Sequence, residues 1–189
     1  MIRPKNEKPF WILVVVLFGL ISLSIYFPAL SGKVPFPSEM VLQFPAWAAP
    51  QNGWHYGDIG DVATAFYPFR AIASKSVRSG TLPLWNPYFL GGAPFLANAQ
   101  SALFYPPNFL YYVLSLPTAW TLCLMLRVFL AGIFMTLFGR SIGASKAGAI
   151  FSGVVFSLCG FTTAWQGEPL GDAAIWLPLV CYSILRLRN

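Results

Sequence analysis

Only six acidic side chains occur in 189 residues, and their placement is the first guide to chemistry. Asp58 and Asp61 stand in the run Trp54-His55-Tyr56-Gly57-Asp58-Ile59-Gly60-Asp61, beside the chain's single imidazole. Such a group can hold a divalent cation, or one carboxylate can take a proton as general base. Asp61 also directly precedes a helical pattern, where a carboxylate can cap unpaired backbone N–H groups. Spacing allows both roles. Glu168 and Asp172 are four residues apart with Pro169 and Gly171 between them, so they can converge on one site or serve as turn and capping residues. Arg127 is the one charge in the middle of a long apolar run. Burial in lipid is costly, so it marks either a place for a lipid phosphate or an ion pair inside a helix bundle.

The elements that position these groups are set by an apolar solvent. Hydrophobic residues make up 57% of the chain and charged residues 10%, against about 25% charged in a soluble domain. Four runs are long enough to cross a bilayer: 10–27, 118–138, 147–165 and 170–185. The expected fold is an all-α integral membrane protein, a single transmembrane domain over 1–189 with one long loop, 31–117, between the first two spans. Arg3, Lys5 and Lys8 precede the first span, Arg140 and Lys146 separate the second from the third, and Arg186 and Arg188 follow the fourth. The positive-inside rule puts all of these, and the N-terminus, in the cytoplasm and the long loop outside. The first run is longer than a signal-peptide core and ends in Tyr26-Phe27-Pro28 without a small-residue cleavage site, so an uncleaved helix is expected.

The loop itself has a pattern. Val62, Ala65, Phe66, Phe69, Ile72, Ala73 and Val77 share one side of a helix drawn at 100° per residue, with Arg70, Lys75 and Arg78 on the other. An amphipathic helix of this kind lies in a headgroup layer with its basic face toward anionic lipid, or packs on its own loop; Pro68 should kink it. Residues 103–116 are apolar but short and interrupted by Pro106-Pro107, which suits a re-entrant or interfacial piece. In the third span Ala149, Gly153 and Ser157 form a small-residue stripe for close helix packing.

Several functions are excluded. The net charge of +6 comes from basic residues flanking apolar runs rather than forming a stripe, which argues against nucleic acid as a partner. Cys123, Cys159 and Cys181 all fall in apolar stretches with no disulfide or zinc spacing. No phosphate-binding glycine loop or nucleophile motif is present.

One block is distinctive: Leu82-Pro83-Leu84-Trp85-Asn86-Pro87-Tyr88, Gly91-Gly92-Ala93-Pro94, Ala97-Asn98-Ala99-Gln100-Ser101 and Phe104-Tyr105-Pro106-Pro107-Asn108. It resembles the loop signature of the bacterial YfhO-like membrane proteins. Asp61 followed by Tyr67-Pro68-Phe69-Arg70, then Phe129-Leu130-Ala131-Gly132, Ser157-Leu158-Cys159-Gly160-Phe161 and Trp176-Leu177-Pro178-Leu179 match the same pattern in order. Members of that family are several times longer, so the resemblance implies the N-terminal portion of a longer module, and Glu168 stands where relatives often carry a histidine.

Such proteins are similar to the GT-C glycosyltransferases, which take a sugar from a polyprenyl-phosphate carrier on the outer face of the membrane. The resemblance implies transfer to an envelope polymer, lipid or protein acceptor, with membrane lipid as the surroundings; the paired acids permit a divalent metal but do not demand one. It makes Asp61 the first candidate for the catalytic base and Asp58 the second. It places Arg127, Arg70, Glu168, Asp172, His55, Asn86, Asn98 and Gln100 among the groups that would meet substrate. The alternatives are a non-catalytic or transporter-like protein for envelope lipids that reuses the loop for binding, and an inactive truncated product.

Overall fold

The computed structural model describes residues 7–37, 60–89 and 91–188. The chain is an all-α membrane protein: four helical segments, Lys8–Ile25, Leu116–Ser141, Lys146–Ala164 and Pro169–Arg188, are long and apolar enough to cross a bilayer. The chain divides into two compact units. One holds residues 1–31, 124–166 and 170–189, and the other holds 32–123 and 167–169.

In the first unit, α1 (Lys8–Ile25) buries Phe10, Val14 and Phe18 against Phe129 and Ile133 of α4 (Leu116–Ser141) and Ile150 and Val154 of α5 (Lys146–Leu158). The remaining faces of α1 expose Ile12, Leu13, Val15, Val16 and Leu20, a surface suited to lipid and not to water. Close approach depends on glycine. A Cβ on Gly153 would stand 2.7 Å from the Gly132 carbonyl and 2.7 Å from Phe18 Cζ. The Ala149, Gly153 and Ser157 stripe is buried on the packed side of α5, as its spacing suggests. Gly153→Val should therefore cost about 1–3 kcal/mol by overpacking, read as an earlier unfolding midpoint in detergent. Gly148→Ala, whose new Cβ would meet only Ser145 Oγ at 3.2 Å, should cost less.

Polar contacts fix the bundle's two ends. Ser22 Oγ donates to the Met125 carbonyl at 2.7 Å, and Tyr26 OH donates to Gln166 Oε1 at 2.8 Å. At the opposite end of α1, Arg140 pairs with Glu7 at 2.8 Å and lies over the Phe10 ring, as does Lys146. Glu7 is thus an ion-pair partner between α1 and the end of α4, which runs antiparallel to it.

The third and fourth spans are not the uninterrupted helices that hydropathy suggests. α5 stops at Leu158, Cys159 is extended, and α6 (Gly160–Ala164) follows. Glycine at position 160 weakens the helix there, and the break frees carbonyls that Thr162 reaches. Its Oγ1 lies 3.0 Å from the Cys159 carbonyl, 3.1 Å from Ser157 and 3.2 Å from Phe156, so its one hydrogen serves them in turn. The fourth span is split into α7 (Pro169–Ala174) and α8 (Leu177–Arg188). Pro178 has no N–H for the Ala174 carbonyl, and its ring is tolerated only in a first helical turn. Hydropathy counts apolar residues and does not register either break.

The second unit is built from the long loop. A wide π-helical turn, Val62–Phe66, leads into α2 (Tyr67–Arg78). Pro68 explains the turn: it has no N–H to give the Thr64 carbonyl, and the Tyr67 N–H instead reaches back to Val62. After α2 comes a two-stranded ribbon, β1 (Trp85–Asn86) antiparallel to β2 (Ala93–Pro94). A 3₁₀ turn at Pro106–Phe109 and α3 (Leu110–Val113) complete it; residues 103–116 do not form a span. Within this unit Trp120 meets Tyr67 and Phe36 edge to face, Phe36 and Tyr67 are tilted against each other, and Trp120 Nε1 donates to the Pro35 carbonyl at 2.9 Å.

The extra residue of the π turn rotates the helix that follows by about 100°. Burial within α2 overturns the expectation that Arg70 shares a polar face with Lys75 and Arg78, because Arg70 and Lys75 are about 140° apart on a regular helix. Phe69, Arg70, Ala73 and Ser74 are the buried residues of α2, while Lys75 and Arg78 are exposed.

Candidate functional site: a polar cleft walled by phenylalanine

Asp61 sits at the head of the π turn with its side chain exposed. It makes no capping hydrogen bond to the helix it precedes, so its carboxylate is not spent on the backbone. Beside it opens a cleft of about 330 Å³ within the second unit. Asp61 and Thr64 line one part of it, Asn86 of β1 another, and Asn98 and Gln100 a third. Phe66, Phe69, Phe89 and Phe95 form the apolar walls.

Each polar group is held by local structure. Asn86 is buried and its Oδ1 accepts the Tyr88 N–H at 3.0 Å. Asn98 is the N-cap of the 3₁₀ turn Ala99–Ser101, accepting the Gln100 N–H at 3.0 Å. In each case the carboxamide nitrogen is a further donor on a side chain already oriented by its oxygen. The walls are equally fixed. Phe95 is 1% exposed and meets Phe69 edge to face at 5.6 Å, and its N–H donates to the Leu84 carbonyl at 2.9 Å.

Behind the cleft, Arg70 is part of the scaffold. Its Nη1 donates to the Ser101 carbonyl, and its guanidinium lies 6.0 Å from the centre of the Tyr111 ring. Ser74 donates to the Tyr111 carbonyl at 2.6 Å, and Arg78 donates to the Tyr111 and Leu114 carbonyls at the end of α3. A basic side chain on the last carbonyls of a helix satisfies acceptors that the helix leaves unpaired. Tyr112 OH donates to the Leu103 carbonyl at 2.7 Å; burial pushes this phenol up, against the pull of Arg70, which keeps the donor hydrogen in place.

The other residues singled out by sequence lie elsewhere. His55 and Asp58 fall outside the described residues. Glu168 is buried in the second unit. Arg127 and Asp172 belong to the first, where Arg127 is 4% exposed. Its Nη2 and Nε reach Asp172 Oδ1 at 2.5 and 3.1 Å, and its Nη1 donates to the Trp165 carbonyl at 2.6 Å. Of the two readings of this intramembrane charge, the structure displays the interior ion pair. Gly171 leaves the room: a Cβ there would stand 2.8 Å from Arg127 Nη1.

Among the described residues no three His, Cys, Asp or Glu side chains are grouped to hold a metal ion. The cleft's chemistry is that of one carboxylate, two carboxamides near a third, and aromatic rings. That set suits a neutral, hydroxyl-rich ligand: amides and a carboxylate hydrogen-bond hydroxyls, and rings cover the apolar faces.

Sequence reasoning reached Asp61, Asn86, Asn98 and Gln100 but not the four phenylalanines that wall them in. The signal was available in part. Phe66 and Phe69 are one turn apart on a helix, and the residues of a strand alternate, so Trp85 and Asn86 must face opposite ways.

The family profile described as bacterial membrane protein YfhO matches residues 92–189, more than half of the chain and including Ala93, Phe95, Asn98 and Gln100 of the cleft. No curated protein and no solved structure matches the sequence. The shared profile and the four candidate spans lead to one conclusion: this chain belongs to the YfhO family of bacterial membrane proteins.

Proposed function

We propose that the protein is a membrane glycosyltransferase that moves a sugar from a polyprenyl-phosphate carrier to a hydroxyl of an envelope acceptor on the outer face. The observation that carries this reading is the convergence of Asp61, Asn86, Asn98 and Gln100 on one phenylalanine-walled cleft. In the reaction Asp61 takes the proton of the acceptor hydroxyl as its oxygen bonds to the anomeric carbon. The bond from that carbon to the carrier's phosphate oxygen breaks, and polyprenyl phosphate leaves with the electron pair. Asn86, Asn98 and Gln100 hold sugar hydroxyls, and the rings exclude water from the reacting atoms. A divalent cation is compatible with the single carboxylate and amide oxygens of the cleft but carries no step here.

Replacing Asp61 by Asn keeps the shape and removes the base. In membranes containing the native protein, transfer from a defined polyprenyl-phosphate hexose should fall while donor affinity is retained. Transfer at the parent rate would remove Asp61 from the mechanism. Loss of donor binding without loss of turnover at saturation would make Asp61 a binding residue and not the base, and donor binding by the parent protein without any transfer would make the cleft a binding site of a non-catalytic protein.

A further inference from the structure

The ribbon that gives Asn86 to the cleft sends Trp85 to the other side. There Trp85 lines a separate groove of about 440 Å³ together with Lys75, Ser76 and Ser79 at the end of α2 and Tyr88 beyond the strand. Among the described residues no acidic side chain lines it. The indole is held in place from behind: Gly92 has φ +118°, and a Cβ there would stand 2.5 Å from Trp85 Nε1, so only glycine lets the ring lie against the backbone. Despite that support Trp85 is 55% exposed and Tyr88 75%. Leu82, Leu84 and Phe89 of the same segment are exposed as well. Trp85 and Tyr88 stand with Lys75 in this groove, and a headgroup layer selects for that mixture, with Trp and Tyr at the interface and cations toward phosphate.

We propose that this groove seats the phosphate of an anionic glycerophospholipid, docking segment 82–89 in the headgroup layer of the membrane. Lys75 supplies the charge and the Ser76 and Ser79 hydroxyls stand beside it, while Trp85 and Tyr88 cover the glycerol and upper acyl carbons. Leu82 and Leu84 enter the layer alongside. The inference does not depend on sugar transfer. It differs from the sequence expectation in its face: the buried Arg70 takes no part, and the ribbon rather than the apolar side of α2 meets the lipid.

The test uses the full chain in phosphatidylcholine nanodiscs, titrated with chain-brominated phosphatidylglycerol or, in parallel, chain-brominated phosphatidylcholine. Bromine quenches a tryptophan it touches. Quenching should be stronger with the anionic lipid, and the excess should vanish in Trp85→Phe. Lys75→Gln should raise the anionic fraction needed for half-maximal quenching about fivefold, and Lys75→Arg should restore it. Equal quenching by the two lipids overturns the proposal, as does an excess that survives Trp85→Phe. So does an excess removed by millimolar inorganic phosphate, which would make a soluble anion the occupant, or by soluble hexose, which would make it a sugar.

Discussion

Asp61→Asn should lower the rate constant for sugar transfer by about 10²–10⁴ with little change in donor affinity. The range follows from what the substitution removes. A carboxamide has nearly the size of a carboxylate and can still accept a hydrogen bond, but it does not take a proton at neutral pH. Binding therefore survives while the transition state loses its base, a pattern of reduced kcat at near-constant KM. Asp61→Glu should retain part of the activity, because the base remains but is displaced by a methylene. Asn98→Ala should behave differently, raising KM for the donor with a smaller effect on kcat if its role is to hold the sugar. The contrast between the two residues separates chemistry from binding within one cleft. It depends on an observation of structure, that Asp61 makes no capping bond.

Arg127→Met should be the most destabilising single change in the first unit. The substitution fills much the same space but leaves Asp172, largely buried, without the cation 2.5 Å away. Removing one partner of a buried pair costs about 3–5 kcal/mol, because the remaining charge keeps its desolvation penalty. It also leaves the Trp165 carbonyl at the end of α6 without its donor. The double variant Arg127→Met with Asp172→Leu should recover most of the loss, since an apolar pair carries no such penalty. Unfolding of the detergent-solubilised protein by a denaturing detergent measures both. A single variant as stable as the parent would mean that the pair is not what holds α4 to the ends of α6 and α7.

The parts of this structure legible in the sequence were those governed by one strong signal. Runs of apolar residues picked out the four candidate spans among the described residues, and the spacing of Ala149, Gly153 and Ser157 anticipated the packed side of α5. Features that depend on a local backbone choice were not legible. Cys159-Gly160 and Pro178 interrupt two spans without changing their hydropathy. The buried side of α2 takes in Arg70 beside Phe69, Ala73 and Ser74, so a polar face drawn through Arg70, Lys75 and Arg78 put Arg70 outside when it lies inside. At the cleft, Asp61 stood out by its position before a helix, while Asn86, Asn98 and Gln100 came from the resemblance of their block to the family. What brings them together is the fold of a two-residue ribbon and a 3₁₀ turn, which periodicity does not detect. The partner of Arg127 was legible only as a class, an acid inside the helix bundle; the structure pairs it with Asp172.

The location of the sugar is the claim on which the account turns, and photocrosslinking tests it directly. A polyprenyl-phosphate hexose carrying a diazirine on the sugar is bound to the native protein in membranes, irradiated, and the labelled peptides are mapped. The account predicts label in residues 61–69 and 86–100, competed by unlabelled donor and reduced when Asn98 and Gln100 are replaced by Ala. Label confined to other segments, or label in these segments that unlabelled donor does not compete, would contradict it.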